Sequence, residues 1–153
     1  MSEAVILEAL RTPFGRHHGA LSEIPPDRLL ADLLIQLFQK VEISPENISD
    51  VTVGTVTQIG EQAANVGRLA VLLSGMPVEV PAFTVNRACA SSQQSVHSIS
   101  QAIEVGDLDY GIAAGVESMT RVPMFSDIEG SLENLNPELE SRFDLVHQGE
   151  SAE

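Results

Sequence analysis

The sequence predicts an α/β layered domain with a mostly parallel or mixed sheet and helices on both faces. Short apolar or small-residue runs alternate with segments of helical periodicity, in the order β-α-β-α-β-α-β, and this alternation is the pattern of such a sheet. The 153 residues are enough to bury one hydrophobic core. Aromatics make up only 4% of the chain and Trp is absent, so that core is expected to be aliphatic.

Residues 4–10 (AVILEAL) read as a mostly apolar strand, closed by Arg11-Thr12-Pro13-Phe14-Gly15. A loop over 16–24 leads to Pro25-Pro26-Asp27, which opens a helix with Asp27 as its N-cap. Leu29, Leu30, Leu33, Leu34, Leu37 and Phe38 share one face of it. Ser44-Pro45-Glu46 starts a short helical turn, with Pro at the first position. Val51, Val53 and Val56 mark a strand, Ala63–Leu73 a helix stopped by Ser74-Gly75-Met76-Pro77, and 81–85 a short strand. Helical periodicity runs from Cys89 to Val105, with Val96, Ile99 and Ile103 on one face, and Gly106 ends it. Tyr110–Val116 is a small-residue strand, expected to be central and covered on both faces. A boundary near residue 120 divides an ordered domain, 1–120, from an acidic segment, 121–153, expected to be loop or partly ordered chain.

The net charge is -14, from 22 acidic and 8 basic residues, a surface that repels phosphate backbones and argues against nucleic-acid binding. Residues 127–153 hold 8 acids against Arg142 alone, a net of -7, equal to that of the 126 residues before them. No apolar run reaches the length of a membrane span, and the N-terminus lacks the basic region of a signal peptide, so the expected setting is the cytoplasm. No His, Cys or acidic spacing suits a metal.

One cysteine, Cys89, excludes an intrachain disulfide and has two readings: a small buried core residue or a reactive thiolate. Its surroundings are Val85-Asn86-Arg87-Ala88-Cys89-Ala90-Ser91-Ser92, where a strand ends, a tight turn follows and a helix begins. Backbone N–H groups and the helix dipole favour an anion there, and the same N–H groups suit the oxyanion of acyl transfer. The small neighbours leave room for a substrate.

The run VNRACASSQQSV resembles the thiolase segment around the acyl-accepting cysteine, and further landmarks of that family recur in order. Arg11-Thr12-Pro13-Phe14-Gly15 is similar to its R-T-P-x-G opening and Asn65-x-x-Arg68 to its N-x-x-R stretch. Gly115-Val116-Glu117-Ser118-Met119, with Pro123-Met124, is similar to its G-G-x-E-x-M and P-M segment, and 147–153 to its M-G-x-T-A-E stretch. Gln93 stands where the family has an apolar residue, and Ala114 replaces the first Gly of the G-G pair.

The resemblance implies a thiolase-like layered domain and an acyltransferase working through an acyl-Cys89 intermediate, with the Cys89 backbone N–H at the oxyanion and coenzyme A thioesters as substrates rather than cofactors. Ser91, Met119 and His147 would line the substrate site. The family's Gly-His-Pro, Cys-x-Gly and Asn-Glu-Ala-Phe segments do not occur in these 153 residues. The implied partner is therefore a separate C-terminal half or a second copy in a homodimer. Two rivals remain open: an inactive or scaffolding subunit that lacks the general base, and a related condensing enzyme of the ketoacyl synthase type. Arg68 and Arg87 read as salt-bridging residues ahead of coenzyme A phosphate ligands, Glu117 as an acid bonded to nearby N–H groups, His17 and His18 as surface residues and His97 as structural.

Overall fold

The computed structural model describes residues 3–153. Its elements run α1 (Pro26–Phe38), β1 (Asp50–Gly54), α2 (Val66–Leu73), β2 (Ala82–Val85), α3 (Ser91–Val105), β3 (Gly111–Gly115), α4 (Pro137–Arg142) and α5 (Gln148–Ala152). β1 pairs in parallel with both β2 and β3, so the sheet order is β2-β1-β3. The α/β class expected from the alternation is the observed one.

Side chains alternate across a strand, and here the two faces differ in kind. Val51, Val53 and Ile112 point to one face and join Leu30, Ala31 and Leu34 of α1 with Ala70 and Val71 of α2 in an aliphatic core. Full burial of each Val or Leu contributes about 1.5–3 kcal/mol relative to exposure. The other face of the sheet carries Thr52, Gly54, Gly111, Ala113 and Gly115, and α3 packs on it. A Cβ at Gly111 would come within 2.8 Å of Ile99, and one at Gly115 within 2.8 Å of the Ser92 Cβ.

That geometry corrects two expectations. β3 lies at a sheet edge among the described strands, and β1 is central. The small residues of β3 make room for α3 and do not mark a central position. The buried face of α3 is Ser91, Ser95 and Ile99, whereas Val96 is 44% exposed. Only small side chains let a helix lie so close to a glycine-lined sheet.

Residues 4–10 form no strand: Val5, Ile6 and Leu7 are 65%, 81% and 59% exposed. Strand propensity needs a ladder partner, and among the described residues this segment has none. The N-cap of α1 is Pro25; Asp27 sits inside the first turn, its carboxylate accepting from the Arg28 N–H at 2.7 Å. α2 begins at Val66 rather than Ala63, because Ala64 and Asn65 take positive φ of 52° and 59°. Beyond Val122 no described residue is buried, and the acidic segment holds two 3-10 turns with the short helices α4 and α5. No helix among the described residues is long and apolar enough to cross a membrane.

Candidate active site

The three parallel strands end together at Gly54, Val85 and Gly115, and the loops that follow them form the site. The carboxyl edge of a parallel sheet is where α/β proteins bind ligands. Cys89 lies in the turn between β2 and α3, and its thiol is exposed. The buried-core reading of this cysteine is therefore excluded.

Backbone geometry makes the turn unusual. Ala88, just before the cysteine, has φ of 45°. The left-handed conformation costs a residue with a side chain about 1–2 kcal/mol, so neighbouring bonds must hold it. The Asn86 Oδ1 accepts from the Ala88 N–H at 2.9 Å. The Ala88 carbonyl accepts from the Ser91 hydroxyl at 2.6 Å and the Ser91 N–H at 3.0 Å. The Ser91 hydroxyl also accepts from the Arg87 N–H at 2.8 Å. α3 then starts at Ser91, with Ala90 as an N-cap that makes no side-chain bond. Seating of that helix depends on Gly54, where a Cβ would collide with the Ser91 carbonyl carbon and the Ser92 nitrogen.

A second group of bonds ties the loops after β1 and β3. The Glu117 carboxylate accepts from the Val56 N–H at 2.7 Å, the Thr57 N–H at 3.3 Å and the Gln62 side-chain amide at 2.7 Å. Glu117 thus serves N–H groups, as its place at the end of a strand suggests. Gln62 is fully buried; it also donates to the Thr57 carbonyl at 2.9 Å and accepts from the Ser118 N–H at 2.7 Å. Gln62 carried no motif in the sequence, since its partners lie up to 56 positions away.

The C-terminal segment returns to the turn: the Cys89 thiol donates to the Gln148 Oε1 at 3.9 Å, a weak sulfur contact. Sequence reasoning singled out His147 instead. That histidine caps α5, its Nδ1 accepting from the Gly149 N–H at 3.0 Å, with its ring edge-on to Phe125 at 5.2 Å. Ser91 is 4% exposed with its hydroxyl engaged in the turn, and Met119 is 56% exposed beyond β3. Gln93 and His97 face outward on α3, while Ala114 packs against the core.

The two arginines form no ion pair among the described residues. Arg68 donates to the Val78 and Val80 carbonyls, and Arg87 to the Gln94 side chain, which corrects the salt-bridge reading of both. The His17 and His18 rings lie 4.0 Å apart in the first loop, and the His18 N–H donates to the Thr120 hydroxyl at 3.1 Å. No three His, Cys, Asp or Glu side chains among the described residues converge on a point.

A parallel sheet with an exposed cysteine at a strained strand-to-helix turn defines a class, and comparison with known proteins gives the family. Residues 4–146 match the family model described as "Thiolase, N-terminal domain". The chain belongs to the thiolase family, within that N-terminal domain. It is 44% identical over 124 residues to the beta-ketoadipyl-CoA thiolase of Acinetobacter baylyi, covering 80% of this chain and 31% of that protein. It is 43% identical over 120 residues to the peroxisomal 3-ketoacyl-CoA thiolase B of Mus musculus, covering 78% of this chain and 28% of that protein. The crystal structure of the Bacillus anthracis acetyl-CoA acetyltransferase matches with a TM-score of 0.66 at 30% identity, over 69% of this chain and 27% of that one. The chain thus spans less than a third of the length of these relatives.

Proposed function

We propose that this chain supplies the nucleophile of a thiolase-type acyltransferase acting on acyl-CoA or 3-oxoacyl-CoA thioesters. The observation that carries this reading is the exposed Cys89 thiol on a bond-locked turn at the start of α3. The Cys89 sulfur, once deprotonated, attacks the thioester carbonyl carbon, and the backbone N–H of Cys89 serves the resulting oxyanion. Collapse expels coenzyme A as a thiolate, which takes up a proton, and leaves acyl-Cys89. A second thiol, or the carbanion of acetyl-CoA, then accepts the acyl group.

The thiol proton needs a base. Among the described residues the one hydrogen-bond partner of the Cys89 sulfur is an amide oxygen, which does not take a proton at neutral pH. The base is therefore assigned to a C-terminal half or a second copy of the chain, in the cytosol. In this reading Ser91 holds the turn, and Met119 and His147 line the substrate site.

The test is intact mass spectrometry after exposure to acetyl-CoA and longer acyl-CoAs, with Cys89→Ala as control. With the base supplied from elsewhere, the expected result is a slowly formed acyl adduct on the parent chain that the variant lacks. No adduct, with Cys89 still alkylated by a small reagent, would favour the rival reading of a binding or scaffolding subunit.

A further inference from the structure

An unbroken run of hydrogen bonds joins the loop after β3 to the cysteine turn. It begins at Gln62, wholly buried, whose amide bonds to Thr57, Ser118 and Glu117. The Glu117 carboxylate holds the Val56 N–H at 2.7 Å. The Val56 carbonyl accepts from the Asn86 Nδ2 at 2.9 Å, and the Asn86 Oδ1 accepts from the Ala88 N–H at 2.9 Å. Ala88 is the residue at φ 45°, and Cys89 follows it.

We propose that Glu117 is a positioning residue for Cys89, acting through Val56 and Asn86 to hold Ala88 in its left-handed conformation and so to aim the thiol. The proposal rests on Cys89 as the reactive group, though not on acyl-CoA as what it reacts with. Three donors converge on the side chain at 117: the Val56 N–H, the Thr57 N–H and the Gln62 amide. A carboxylate offers two oxygens for them, whereas glutamine offers one and adds two N–H groups. Gln62 cannot turn over to adapt, because its own oxygen takes the Ser118 N–H. A change at 117 therefore releases Val56, then the Asn86 amide, and lets Ala88 leave a conformation that is intrinsically disfavoured.

The experiment follows alkylation of Cys89 by iodoacetamide in the full chain, by mass, for the parent, Glu117→Gln, Asn86→Asp and the double variant. Asn86→Asp keeps the acceptor for Ala88 and loses the donor to Val56. Each single change is expected to slow alkylation about three- to tenfold, the weight of one hydrogen bond. The double variant should be no slower than the slower single one, because both changes cut the same chain. Either single variant reacting at the parent rate, or a double variant whose slowing is the product of the two, overturns the proposal. Amide exchange gives a second readout: Ala88 should lose protection in Glu117→Gln while Ala70 and Val71 in the core keep theirs. Loss confined to Val56 and Thr57 would make Glu117 a loop tie alone and would sink the idea. If Glu117→Gln does not fold, the alkylation rate of Asn86→Asp decides. Because iodoacetamide needs no acyl-CoA site, an absent acyl adduct would overturn the proposed function and leave this inference standing.

Discussion

A Cβ at Gly54 would strike the Ser91 carbonyl carbon and the Ser92 nitrogen, which are backbone and cannot rotate away. A Cβ at Gly115 would strike the Ser92 Oγ, which can rotate away, and would come within 2.8 Å of the Ser92 Cβ, which cannot. Overpacking of this kind costs about 1–3 kcal/mol, and more where backbone must move. Gly54→Ala should therefore be the more damaging of the two substitutions, at the upper end of that range or beyond it. Urea unfolding midpoints of the two variants check this, and equal midpoints would mean that the turn tolerates a shift of α3. The site depends on these absences of side chain as much as on Cys89 itself. Gly115 stood out in the sequence within the Gly115–Met119 motif, whereas Gly54 had no motif to mark it.

Among the elements, the side chain of Asn65 ties the start of α2 to β2, beside the Gly67 N–H that donates to the Thr84 hydroxyl at 3.2 Å. Asn65 takes the left-handed φ of 59° at the helix N-terminus, and its Oδ1 accepts from the Arg68 N–H at 3.3 Å and the Thr84 hydroxyl at 2.8 Å. Its Nδ2 donates to the Ala82 carbonyl at 2.8 Å. Loss of an N-cap costs about 0.5–2 kcal/mol, and Asn65→Ala also puts a Cβ-bearing residue without local bonds into a left-handed conformation. Asn65→Ala should lower the thermal midpoint more than Asn65→Gly, which adopts that conformation freely. The Asn65-x-x-Arg68 stretch was visible in the sequence, yet its meaning as a cap was not, because the Thr84 and Ala82 partners lie on another element. Elements set by local pattern were legible: the valines of β1, the leucines of α1, and the strand–turn–helix around Cys89. What was not legible depends on distant partners. The 4–10 segment has strand composition and no ladder among the described residues, and the inner face of α3 sets Ser91 and Ser95 beside Ile99 against the glycines of β1 and β3 while leaving Val96 outside.

Across the whole molecule the acid excess leaves few ion pairs, and two of the three among the described residues join neighbours four apart on one helix. The third joins distant parts. Arg121 donates to Glu61 at 2.7 Å and to the Ser22 carbonyl at 2.9 Å, tying the segment after β3 to the turn after β1 and to the loop before α1. The hydrogen bond from Arg121 holds the Glu61 carboxyl below its ordinary value of 4.5, with burial opposing. A carboxylate lowered by folding stabilises the folded state above its unfolded value and loses that contribution as pH falls through its folded one. The Glu61 side chain is 43% exposed, so solvent screens the pair and the effect is modest. The parent should thus exceed Glu61→Gln in unfolding midpoint at pH 7, with the margin closing below about pH 4.5. The comparison must be between the two chains at each pH, because protonating the other acids also relieves the self-repulsion of a chain at -14. High salt should narrow the margin at pH 7 as well, since an exposed pair is screened over about 10 Å at 0.1 M. A margin that ignores both pH and salt would mean that Glu61 acts through packing and not through its charge.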